Sequence, residues 1–197
     1  MRKPSERKQS ILEALTHMLE TQPGSRITTA KLAVEVGVSE AALYRHFPSK
    51  AKMYEGLIDF IEESIFSRVN RILEEEKSTT LRCELLMTML LAFAERNPGL
   101  CRILTGEALA GETDYLRVRV FQFFDRIEAQ LKQILRESDV RKDIRVVVDM
   151  GVAANLILSV ADGKIAQYVR SDFRVKPTQG WNLQWDSVRY GLFEAIN

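Results

Sequence analysis

The strongest constraint on this chain is one long amphipathic stripe. Met53, Leu57, Ile61, Ile65, Val69 and Leu73 recur at intervals of four, and Tyr54, Ile58, Phe60 and Phe66 widen the stripe. In a strand the residues two positions further on would share the apolar face, but those are Glu55, Asp59, Glu63, Ser67 and Arg71. A turn of about 3.6 residues instead keeps the apolar set on one side of an α-helix. The pattern predicts a helix that Ser49 caps and that runs to about Glu76.

The same periodicity covers most of the chain. It predicts helices over Gln9–Glu20, from a cap at Thr28-Thr29 to Gly37, over Glu40–Phe47 and over Leu81–Glu95. Further helices are expected in a short piece after Pro98-Gly99 and over Glu112–Glu137, Val146–Arg170 and Leu183–Ile196. Pro23-Gly24-Ser25 and Pro48 act as breakers, and the charged stretch Ser138–Arg145 and the stretch Val175–Trp181 read as loops. No strand pattern is found, so the expected fold is all-α with about nine helices. At 197 residues, with 46% hydrophobic and 28% charged side chains, the chain has the mixture of a folded globular protein and not of a disordered one.

The 28 basic and 27 acidic side chains nearly cancel, but not evenly along the chain. Residues 1–50 carry eight basic against five acidic side chains, which suits a segment that meets a polyanion, although a solvated surface has the same balance. The basic start Met1–Glu6 leads into an amphipathic helix and not into an apolar run, so no export signal is expected. The apolar stretches Leu85–Phe93 and Val146–Val160 are too short, or broken by Asp149 and Asn155, to span a membrane. A cytoplasmic protein without membrane contact is expected, with Cys83 and Cys101 as reduced core thiols.

No nucleophile elbow, glycine-rich phosphate loop or HExxH is present, and His17 stands alone, so neither catalysis nor a metal or other cofactor is expected. Chemical information concentrates instead in Thr28–Phe47, a short helix, a glycine-containing turn and a second short helix. That arrangement places a recognition helix in the major groove of double-stranded DNA, although short helix pairs also occur for packing alone. The second helix begins Ser39-Glu40-Ala41-Ala42, where small side chains permit close approach to base edges. Arg45 and Glu40 project between them, and Tyr44, His46 and Lys50 supply donors around the same end. For Tyr44, packing between Leu43 and Phe47 is the alternative.

The run Leu32–Phe47 followed by Pro48-Ser49-Lys50 resembles the DNA-binding motif of the TetR family of bacterial regulators. Arg26–Ala33, Phe60–Ser64, Ala94–Leu100, Arg102–Gly106, Arg126–Glu137 and Val169–Phe173 extend the likeness to the nucleoid occlusion members of that family. Glu107, Ala110–Thr113, the Ser138–Arg145 loop and the tail after Pro177 depart from it. The resemblance implies a helix-turn-helix DNA-binding domain over residues 1–50 and a helical dimerisation and partner-binding domain over 51–197. It implies a homodimer on dispersed palindromic chromosomal sites, associated with the nucleoid, that disrupts polymers of the division protein FtsZ.

On this reading Thr28, Thr29, Glu40, Ala41, Ala42, Tyr44, Arg45, His46 and Lys50 bind DNA. Phe60 and Arg68, eight positions apart on one helix, together with Arg96 and Asn97, would meet an acidic FtsZ surface. Core packing is the alternative for Phe60, and solvation of helix surfaces and ends for the other three. A ligand-inducible TetR-type transcriptional repressor is the competing function. Dimerisation is expected through the last two long helices, with Leu156 and Leu192 as the positions where a charge would block it.

Overall fold

The computed structural model describes residues 4–22, 24–25 and 27–196. The breaker expected at Pro23 and the basic residues Arg2, Lys3 and Arg26 lie outside the described residues. Nine α-helices are described: α1 (Pro4–Thr21), α2 (Thr29–Val36), α3 (Glu40–His46), α4 (Lys50–Glu75), α5 (Thr79–Arg96), α6 (Pro98–Leu104), α7 (Asp114–Arg141), α8 (Met150–Arg170) and α9 (Trp181–Leu192). A 3-10 turn, Glu107–Leu109, precedes α7.

Two short strands correct the expectation of none. β1 (Ile144–Val146) pairs antiparallel with β2 (Phe193–Ala195), Ile144 opposite Ala195 and Val146 opposite Phe193. Three residues are too few to display an alternation, so no strand pattern forms in the sequence. The stretch 138–145 is likewise not one loop. Helix α7 continues to Arg141, because the buried Ser138 hydroxyl donates to the Leu135 carbonyl at 2.7 Å and Arg141 pairs with Glu137 one turn back. Lys142, at φ 56°, then turns the chain. Helix α8 starts at Met150, later than expected, since Asp149 caps it by accepting from the Gly151 and Val152 amides at 2.8 and 3.1 Å.

The chain forms two compact units, one of Met1–Glu62 with Asn97–Val120 and the other of Glu63–Arg96 with Phe121–Asn197. In the first, α1 lies directly on α6. A Cβ added at Gly99 would fall 2.3 Å from the Thr16 carbonyl oxygen, so only glycine allows this approach. Arg102, buried on α6, donates to the Leu19 and Gln22 carbonyls at 2.7 and 3.1 Å and pairs with Glu107 at 2.7 Å. It satisfies acceptors that the end of α1 leaves open.

The second unit is built on aromatic and aliphatic packing of α5, α8 and α9. Trp181 donates through Nε1 to the Thr88 hydroxyl at 2.8 Å, and Trp185 packs between Trp181 and Phe193 with ring centres 5.9 and 6.3 Å away. Buried Arg82 closes the C-terminal end of α4 by donating to the Leu73 and Glu76 carbonyls at 2.6 and 2.7 Å, and it pairs with Glu137. Cys83 and Cys101 are buried thiols, and burial pushes the pKa of each up to about 12. Among the described residues no helix is long and apolar enough to cross a membrane.

Candidate nucleic-acid interface

Local capping builds the candidate reading head. The Thr28 hydroxyl accepts from the Lys31 amide at 3.3 Å to start α2. Gly37, at φ 71° and ψ 42°, ends it in the left-handed region that glycine enters without a Cβ penalty. Two residues later Ser39 caps α3 by accepting from the Ala42 amide at 3.3 Å. Leu32, Leu43 and Phe47 are buried and anchor the pair of helices. Their burial leaves Glu40, Ala41, Tyr44 and Arg45 exposed, with Ala42 and His46 half-buried.

Three of the expected DNA-facing residues come together as one hydrogen-bonded group. The Thr29 hydroxyl donates to Glu40 Oε2 at 2.8 Å, and the Tyr44 hydroxyl donates to Thr29 Oγ1 at 3.4 Å. This chain ties the first turn of α2 to both ends of α3. It holds the carboxylate of Glu40 and aims the phenol of Tyr44, which is 44% exposed and therefore not packed into the core. Lys50, at the first position of α4, is held differently. Its Nζ lies 2.6 Å from Glu112 Oε1 and 5.4 Å from the centre of the Tyr54 ring. Burial, with Glu112 nearby, pushes the pKa of the Tyr54 phenol up to about 12. No local sequence pattern announces the partnership with Glu112, because 62 residues separate the two.

The residues expected to face a protein partner divide between the two units. Phe60 and Asn97 belong to the first and line the same cavity of about 290 Å³, with Leu12, His17, Leu57 and Leu100. Phe60 is 45% exposed, which removes the core-packing alternative. Arg68 and Arg96 belong to the second unit, and both are exposed. The Arg68 guanidinium donates to the Ser64 carbonyl at 2.6 Å. On α8 and α9 the apolar side chains Val152, Leu156, Leu183 and Tyr190 are exposed. Leu192, by contrast, is only 3% exposed, so a charge there would strike the core of its own chain and not an interface.

A capped helix pair with a small-residue second helix, set in a predominantly helical chain, is the arrangement of a DNA-binding regulator of the TetR type. The family model for bacterial regulatory proteins of the tetR family matches residues 11–57, and the model for the tetracyclin repressor-like C-terminal domain matches residues 77–192. A TetR transcription regulator from Haloarcula marismortui shares the fold, with a TM-score of 0.80 at 19% identity over 96% of this chain and all of that one. One from Chloroflexus aurantiacus does so with a TM-score of 0.79 at 21% identity over the whole of both.

Curated relatives narrow the class. The nucleoid occlusion factor SlmA of Marinomonas sp. (strain MWYL1) is 58% identical over 190 residues, 96% of each chain. That of Shewanella pealeana is 58% identical over 189 residues, again 96% of each. The chain belongs to the SlmA family of nucleoid occlusion factors, a branch of the TetR-type regulators.

Proposed function

We propose that the protein binds palindromic chromosomal DNA as a homodimer and, when bound, disrupts FtsZ polymers so that division is blocked over the nucleoid. The observation that carries this reading is the 58% identity to SlmA proteins across 96% of the chain, the C-terminal part included. Residues 1–50 read DNA in this scheme, and residues 51–197 supply dimerisation and partner contacts.

The Thr29–Glu40–Tyr44 group orients the start of α3, so that Ala41, Ala42 and Arg45 meet base edges while Thr28, Tyr44, His46 and Lys50 serve the backbone. Exposed Val152, Leu156, Leu183 and Tyr190 supply the apolar area of the two-fold interface that a palindromic site requires. Phe60, Arg68, Arg96 and Asn97 contact FtsZ, the arginines by charge and Phe60 by apolar contact.

Co-sedimentation of FtsZ with GTP, with and without a bound DNA duplex, tests the proposal. DNA-loaded protein should reduce pelleted polymer, whereas a transcriptional repressor would leave it unchanged in both conditions. Arg68→Asp and Arg96→Asp should fold and bind DNA normally but spare the polymer. Disassembly by both variants at wild-type concentrations would remove the arginines from the FtsZ contact.

A further inference from the structure

Two roles compete for the ammonium of Lys50 in the first unit. Lys50 stands at the start of α4, where the proposed function sets a DNA phosphate, yet it is bound to Glu112, the two side chains only 17% and 12% exposed. Glu112 belongs to the segment between α6 and α7, where Gly106 and Gly111 adopt φ of 77° and 76°. That segment is held at its near end by the Arg102–Glu107 pair and at its far end by Lys50. A cavity of about 310 Å³, lined by Ser25, Ile27, Lys50, Tyr54, Arg102 and Glu112 among others, opens beside the pair and leaves the lysine room to change partner.

We infer that the Lys50–Glu112 ion pair is a DNA-sensitive latch: a backbone phosphate takes Lys50 from Glu112 and thereby frees the segment 106–113 from the start of α4. The inference rests on Lys50 as a phosphate contact. An ammonium engaged by a phosphate has less capacity for the carboxylate, and the released Glu112 carries the same sign of charge as the DNA. The like charges separate, and the two glycines permit the intervening backbone to move. Contact with DNA at the N-terminal end of α4 thus alters the entry to α7.

Hydrogen exchange on the full wild-type chain, alone and with a duplex recovered by this protein from random-sequence DNA, should show faster exchange over residues 106–113 in the complex. Unchanged or slower exchange there overturns the latch. Glu112→Gln, with its thermal unfolding checked, should bind the duplex about fivefold more tightly, equivalent to about 1 kcal/mol. Adding Lys50→Met should abolish that gain, whereas a gain that survives would be general charge removal and would overturn the latch. The underlying assignment has its own readout, because Lys50→Met alone should flatten the salt dependence of log affinity by about 0.9 for each phosphate that Lys50 neutralises in the wild type. An unchanged slope removes Lys50 from the phosphate contacts. A flattened slope with no response to Glu112→Gln leaves the phosphate assignment standing and removes only the latch.

Discussion

Both compact units have an apolar core, but the contacts that join their elements beside it differ. In the first, polar groups do much of the joining: Arg102 closes the end of α1, Arg119 reaches Asp59 and Glu62 at 2.8 and 3.2 Å, and Lys50 meets Glu112. In the second, Trp181, Trp185 and Phe193 pack α9 and β2, and bonds to neutral polar groups add to this packing, among them Lys164 to Gln184 and Trp181 to Thr88. Their surfaces differ in the same sense. The first presents Tyr44, Arg45 and the small residues of α3, whereas the second presents Val152, Leu156, Leu183 and Tyr190. A reading head must hold directional donors in place, which caps and ion pairs do. A dimerising face needs apolar area, which helix packing leaves over.

The largest departure from this balance is expected from Leu192→Asp. A carboxylate placed where Leu192 is 3% exposed should cost about 3–5 kcal/mol and unfold the second unit, read as a fall in thermal midpoint. Gly99→Ala probes the first unit by driving a methyl group against the Thr16 carbonyl oxygen. The expected loss is about 1–3 kcal/mol, measured by denaturant unfolding, and full stability would mean that α1 and α6 can separate at little cost.

Removal of one cap should have a smaller effect. Thr28→Ala is expected to cost about 1 kcal/mol and to weaken DNA binding through misplacement of α2, without change in assembly state. Leu156→Asp should shift monomer stability by no more than about 0.5 kcal/mol, yet convert the dimer to monomer in sedimentation velocity. A persisting Leu156→Asp dimer would place the interface away from this part of α8. The contrast between Leu156 and Leu192 shows why the apolar stripe alone misleads: both are leucines on helical faces, and only burial separates the one available to a partner from the one already used.

Most helices are legible in the sequence because their signals are local. The four-residue spacing from Met53 to Leu73, the hydroxyls of Thr28 and Ser39 and the glycine at 37 each act within a turn or two of themselves. The candidate reading head is legible for the same reason, since α2, α3 and their caps lie within twenty residues of one another. Helix ends that depend on remote partners are not. The N-terminus of α5 is capped from outside the helix, the Thr79 amide donating to Asp143 at 2.6 Å, and β1 exists only because β2, almost fifty residues later, returns beside it.

Periodicity and capping chemistry, read along the chain, are therefore sufficient for the mainly helical class, the helix-turn-helix and the residue types that α3 exposes. Tertiary structure alone decides that Glu40 is held by Thr29, that Lys50 is held by Glu112, that Phe60 lies at the surface and that Leu192 does not. The physical reason is one of range. A helix forms through interactions between residues three or four apart, whereas an ion pair or a buried side chain depends on which distant segment the folded chain brings to its side.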